Sequence, residues 1–248
     1  MCPLWILVVP DSHNPHSIKF HQETYFMIPK VFHQIWINKT DPDLPAQFAL
    51  YRDGWLRLHP GWDYKLWNME NIDFPLRRPE LLKKAGSYAQ MADILRLEII
   101  YQHGGIYSDT DFECLNPIEP LINNVDLFFC SEDGLTCTQS IFGAEKAHPL
   151  LLRLVEGLPS KIGIELPNLE TGPGYVTKSL INDGFSGGLT VFPRTTFFPY
   201  NFYELHRANE EFPDSYAVHR YAGSWAKPRT LRQKVLRKLQ RIAAAISG

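Results

Sequence analysis

The chain has 248 residues, enough for one domain with a sizeable core, and its 44% hydrophobic and 21% charged residues exclude a disordered polypeptide. A net charge of −2 argues against general nucleic-acid binding. That total hides an asymmetry: Lys227, Arg229, Arg232, Lys234, Arg237, Lys238 and Arg241 form a basic run with no acid among them, leaving 18 basic against 27 acidic residues in the rest.

Residues 1–26 mix a short apolar run, Leu4 to Val9, with Pro10, Asn14, Pro15 and three histidines. The run is far below the ~20 residues a spanning helix needs, and it lacks the basic flank and small-residue cleavage site of a secretory signal. This segment is expected to be a leader, either disordered or not native, with translation starting at Met27. From there the pattern sharpens. Val31 to Ile37 reads as a buried strand, Pro45 to Leu58 as a helix with Pro60 beyond its end, and Asp63 to Trp67 as a second strand. Ser87 is placed to cap a helix reaching about His103, where Gly104-Gly105 stop it. Ile106 to Ser108 then makes a short strand. Val125 to Cys130 and Thr138 to Phe142 read as strands and Pro149 to Glu156 as a helix. Thr171-Gly172-Pro173-Gly174 is a turn opening a helix to about Ile181, and Leu189 to Phe192 is a further strand. The mixed order with short connections favours one α/β sheet domain over residues 27–226. Residues 227–248 are expected as a basic amphipathic helix, with Leu231, Val235, Leu239, Ile242 and Ile246 at spacings of three and four.

None of the four cysteines, Cys2, Cys114, Cys130 and Cys137, has CxxC spacing, which argues against zinc. Unpaired thiols in a reducing compartment are expected, with a small Cys130–Cys137 loop as the alternative.

The chemistry concentrates at Asp93, Arg96, Asp109 and Asp111. Two carboxylates one residue apart beyond a short strand share a face, since alternate strand residues point the same way, and their repulsion is offset by a hard divalent cation, Mn²⁺ or Mg²⁺. Asp93 and Arg96, three apart on a helix, also share a face. Their neighbours Ala92, Ile94, Leu95, Leu97, Ile99 and Ile100 are apolar, so this pair is expected half-buried or lining a cleft rather than on an open surface.

Ile28-Pro29-Lys30-Val31-Phe32-His33-Gln34-Ile35-Trp36-Ile37, His59-Pro60-Gly61-Trp62 with Tyr64-Lys65-Leu66-Trp67, the Asp93–Arg96 and Asp109–Asp111 segments, Thr171–Gly174, and His219 with Ser224-Trp225 resemble glycosyltransferase family 32. That family includes fungal mannosyltransferases and bacterial surface-polysaccharide enzymes, and its core is similar to clostridial toxin glycosyltransferase domains. The resemblance implies a GT-A fold, a single Rossmann-like mixed-sheet domain, and metal-dependent retaining transfer from a UDP- or GDP-linked sugar to a glycan or lipid-linked acceptor. It implies that Trp36 stacks on the base, that Asp93 and Arg96 bind the donor sugar, and that Tyr107 packs beside ribose or sugar. Asp109 would contact the donor and reach the metal, Asp111 would bind the metal directly, and His219 would be a late metal or diphosphate ligand. Ser224 and Trp225 would close over the diphosphate, and Gly172 and Gly174 would lie in a turn offering backbone N–H groups to the donor. A phosphatase-like metal hydrolase and a non-catalytic nucleotide-sugar-binding protein remain alternatives. The expected location is cytoplasmic, with residues 229–246 holding the enzyme at the inner face of an anionic membrane.

Overall fold

The computed structural model describes residues 6–11, 14–22, 27–38, 43–182 and 188–223. Its elements in chain order begin with β1 (Ile6–Asp11) and β2 (Asn14–Gln22), a hairpin separate from the main sheet, within a segment whose sequence shows little pattern. Then come β3 (Val31–Ile35), α1 (Ala46–Leu58), β4 (Asp63–Trp67), α2 (Pro79–Lys84), α3 (Tyr88–His103), β5 (Gly105–Ser108) and β6 (Phe112–Cys114). The second half adds α4 (Glu119–Ile122), β7 (Leu127–Ser131), β8 (Cys137–Ala144), α5 (Pro149–Glu156), α6 (Pro167–Glu170), α7 (Pro173–Asn182), β9 (Leu189–Phe192), α8 (Arg194–Phe197) and β10 (Ala217–His219).

Six strands form the central sheet in the order β4-β3-β5-β8-β7-β9. β3 pairs in parallel with both β4 and β5, β7 pairs in parallel with β9, and β8 runs antiparallel between β5 and β7. The carboxyl ends of β3, β5 and β7 therefore open on one edge. The chain leaves β3 outward to β4 and returns to β5 on the other side, so a switch point lies between β3 and β5, where open α/β sheets form a crevice. β6 and β10 make a separate antiparallel pair that sets Phe112 opposite His219.

α3 explains itself from its sequence. Ser87 Oγ accepts from the Gln90 N–H at 3.1 Å, and Gln90 Oε1 accepts from the Gly86 N–H at 2.8 Å. Every residue from Ile94 to Ile100 is buried, so the helix is covered on all sides rather than lying at the surface. Gly104 ends it at φ +67, and Gly105 follows at φ +95. A Cβ on Gly105 would sit 2.6 Å from Val31 Cγ1, so glycine is what lets β5 lie against β3. One apolar cluster packs α3, α5 and α7 on one side of the sheet around Trp67, Leu97, Ile100 and Phe142; a second packs α1 and α8 on the other around Phe32, Trp55, Phe128 and Phe197.

Differences from expectation are local. β3 ends at Ile35, although the Trp36 N–H still donates to Trp67 O at 2.8 Å. Cys114, Cys130 and Cys137 are free thiols. Among the described residues no helix is long and apolar enough to cross a membrane. The tail expected as a basic helix lies outside the described residues, as does its membrane role.

Candidate active site

A cavity of about 480 Å³ opens at the carboxyl edge of the sheet, and Trp36, Asp93, Arg96, Asp109, Asp111 and His219 all line it. Trp36 follows β3 and meets Phe48 of α1 edge-on, with centroids 5.6 Å apart. Asp109 follows β5.

Asp109 and Asp111 are not aligned by strand alternation. β5 stops at Ser108, and residues 109–112 form a turn closed by the Phe112 N–H donating to Asp109 O at 3.2 Å. The turn is pinned on both sides. The Asp109 N–H donates to Ser140 O on β8, and the Arg220 N–H donates to Asp111 O. The Asp111 carboxylate takes His219 Nε2 at 3.1 Å on one oxygen and the Ala222 N–H at 2.9 Å on the other. Its burial would raise its pKa, but His219 outweighs burial and holds it below the usual carboxylate range. His219 answers in kind: burial would lower it, and Asp111 lifts it above an ordinary imidazole.

Arg96 is the hub of the opposite wall. Its Nε donates to Ala92 O at 3.1 Å and its Nη1 to Gln139 O at 3.0 Å, while Nη2 lies 3.3 Å from both Asp93 Oδ1 and Asp109 Oδ1. The guanidinium carbon sits 4.8 Å above the Tyr107 ring, whose hydroxyl donates to Asp109 Oδ1 at 2.7 Å. Burial pushes Asp93 up to about 6 against the pull of Arg96, even with Thr171 Oγ1 donating to its other oxygen at 3.2 Å. Asp109 is also raised, by burial first and then by neighbouring Asp111. The Asp93–Arg96 pair is thus largely buried, not a surface ion pair.

Tyr107 lines the cavity at 1% exposure, with the Arg96 guanidinium over its ring. One sequence-based role changes. The Thr171–Gly174 turn offers no spare N–H groups: Thr171 and Gly172 donate to Pro167 O, Gly174 donates to Asn168 Oδ1 at 2.9 Å, and Pro173 has none to give. Gly172 and Gly174 instead allow close packing, since a Cβ on either would come within 3.0 Å of residue 168 or 169. Ser224 and Trp225 lie outside the described residues.

Sequence reasoning missed Glu132 and Tyr221 in the cavity lining, and Thr171 Oγ1 and the Gln139 carbonyl, which hold Asp93 and Arg96 from behind. Glu132 was legible in principle, as an acid just past a strand end like Asp109. Tyr221 was not, because its backbone sits at φ +50.

Ligand atoms of Asp109, Asp111 and His219 all lie within 4.8 Å of one another, a spacing that one cation can bridge. Two carboxylates and an imidazole suit Mn²⁺ or Mg²⁺ better than a thiolate-seeking metal. Charge balance agrees: Asp93, Asp109, Asp111 and Glu132 line the cavity against Arg96 and His219, and Arg96 already serves protein acceptors.

Residues 45–127, which hold Asp93, Arg96, Asp109 and Asp111, match the family model "Glycosyltransferase sugar-binding region containing DXD motif". The match covers the Arg96 wall and the DXD turn, while His219 comes from beyond it. Inositol phosphoceramide mannosyltransferase 3 of Schizosaccharomyces pombe is 32% identical over 160 residues, 62% of this chain and 43% of the relative. Mannosyl phosphorylinositol ceramide synthase CSH1 of Saccharomyces cerevisiae is 30% identical over 150 residues, 58% of this chain and 39% of that protein. The chain therefore spans about two-fifths of the length of these curated relatives. Among solved structures, a glycosyltransferase involved in glycosylation of the major capsid of PBCV-1 superposes with a TM-score of 0.50 at 12% identity, covering 88% of this chain and all of the other. The fold is GT-A, as the resemblance to glycosyltransferase family 32 implies.

Proposed function

We propose that this protein transfers a sugar from a nucleoside diphosphate to a hydroxyl acceptor, with a divalent cation held by Asp109, Asp111 and His219. One observation carries the reading: a DXD turn and a buried Asp93–Arg96–Asp109 cluster, joined at Asp109, line one cavity at the switch point of the sheet. A diphosphate entering that cavity meets several carboxylates and one guanidinium already bound to protein. A cation beside Asp111 removes that conflict and, when bound, acts as a Lewis acid on the departing diphosphate.

The chain's own groups do the rest. Trp36 offers an indole face for a uracil or guanine base. Asp93 and Asp109, aimed by Arg96, Thr171 and Tyr107, accept hydrogen bonds from sugar hydroxyls and fix the anomeric carbon. Transfer with retention of anomeric configuration is the reading the family resemblance favours. Asp93, Asp109 and Asp111 are each already engaged, which favours front-face attack, with the acceptor's proton passing to the leaving phosphate. Relatives named as mannosyltransferases put a mannosyl donor first in the panel, and a glycan or lipid-linked acceptor fits the same names.

The test is diphosphate release from UDP- and GDP-sugars with Mn²⁺, Mg²⁺ or EDTA. Release from at least one donor, lost with EDTA, is expected. Nucleotide binding without turnover would favour the binding-protein alternative, and phosphate release from simple monoesters would favour the hydrolase.

A further inference from the structure

Glu132 is the one carboxylate lining the cavity that the donor and metal reading leaves unused. It stands just past the carboxyl end of β7, where buried Ser131 gives way to an exposed turn whose Leu135 is 86% exposed. Other acids nearby have work. Asp133 Oδ1 accepts the N–H groups of Leu135 at 2.8 Å and Thr136 at 2.6 Å, and Glu113 accepts from Arg220 Nε at 2.8 Å. Glu132 and Tyr221 line the cavity together with His219. The Tyr221 hydroxyl donates to Tyr200 O at 3.3 Å, and its ring centroid is 4.2 Å from that of His219.

The left-handed backbone of Tyr221, at φ +50, is a conformation an aromatic residue rarely adopts and that persists where surroundings enforce it. Here it sets the ring against His219. A carboxylate only accepts hydrogen bonds, and so does a diphosphate, so the two repel and cannot pair. The ligand group that suits Glu132 is a neutral hydrogen-bond donor. The position fits: Glu132 lines the same cavity as Asp93 and Arg96 but comes from the segment just past β7, a different element from the helix that carries that pair.

We propose that Glu132, which lines the cavity with Tyr221, binds the hydroxyls of a neutral polyhydroxyl ring, the acceptor end of the substrate, beside the metal-bound donor. This rests on the transferase reading above. A carboxylate spanning two ring hydroxyls would set which one faces the anomeric carbon, so Glu132 would govern the linkage formed as well as affinity.

The experiment uses the full chain with Mn²⁺. Binding of GDP and UDP is measured first; if neither binds, the transferase reading itself fails. With the better nucleotide bound, myo-inositol and methyl α-D-mannopyranoside are titrated by saturation-transfer NMR. Wild type is expected to bind at least one. Glu132→Ala should weaken it about tenfold or more, as loss of a hydrogen bond to a charged group does, with Glu132→Gln intermediate and Tyr221→Phe shifted the same way. Glu156→Gln, on a surface pair with Arg77, should match wild type. Nucleotide binding without polyol binding in wild type overturns the proposal alone. So does equal polyol affinity in Glu132→Ala, and so does a loss confined to Mn²⁺ affinity, which would make Glu132 a cation ligand.

Discussion

Replacing Arg96 with Met tests the donor wall most severely. The guanidinium is buried and lies 3.3 Å from two carboxylates, with two further donations to backbone carbonyls. At an effective dielectric of about 20, each charge pair at that separation is worth about 5 kcal/mol before desolvation. Most of that offsets the cost of burying the charges, so the net value of the cluster is small. Removing one partner is different, because it strands Asp93 and Asp109 without their cation. Breaking a buried pair in this way costs about 3–5 kcal/mol. Arg96→Met should therefore lose about that much unfolding free energy in urea at pH 7. Asp93→Asn in the same chain should restore part of it, since it removes one stranded charge. The paired variants form a double-mutant cycle whose coupling reads the contact directly. A loss below about 1 kcal/mol, the range of exposed ion pairs, would refute the buried-cluster reading.

Asp111→Ala should abolish Mn²⁺ binding followed by electron paramagnetic resonance, and with it sugar transfer, while circular dichroism stays native; full activity after stringent metal removal would overturn the site. Gly105→Ala should cost about 3 kcal/mol in thermal or urea unfolding, since its left-handed backbone and the Val31 contact both resist a side chain. His33 donates from Nε2 to Gly104 O at 3.0 Å and accepts Trp67 Nε1–H at 2.9 Å, and burial holds its pKa down at about 3. The fold thus favours neutral His33. Its contribution is complete above the unfolded value of about 6.5 and is lost as pH falls toward 3, about 2 kcal/mol of it by pH 5. Wild type should lose that much more than His33→Gln between pH 7 and pH 5 in urea titrations; equal losses would show that His33 does not titrate against the fold.

Much of the parallel part of the sheet was legible because its signals are local. Ser87 and Gly104 bracket α3 in sequence as they do in space, and the apolar neighbours of Asp93 and Arg96 marked that pair as half-buried or cleft-lining, although the burial of Glu98 as well went unread. The DXD turn was found for a partly mistaken reason: a strand was assumed to orient both carboxylates, whereas a turn does so. The Thr171–Gly174 turn shows the limit of composition. Glycines beside a helix start read as an anion cradle, yet here the neighbouring Asn168 and Pro167 take those N–H groups. Glu132 and Tyr221 were missed because their relation depends on how β7 and the segment after β10 converge, and no spacing encodes that.

The pairing of β6 with β10 has a consequence for how the protein comes to life. Phe112 faces His219 across a loop of about a hundred residues, and closing such a loop costs entropy that local elements do not repay. α3, β5 and β8 can dock early through near neighbours in the chain. Asp111 acquires His219 and the Ala222 N–H only when the distal strand arrives. Much of the core packed by α3 and the central sheet can therefore form while Asp111 still lacks His219 and the Ala222 N–H, although Ala217 and Phe112 join the second apolar cluster only with that strand. The segment from Ala217 to Ala222 thus completes surroundings of Asp111 that the earlier part of the chain only begins.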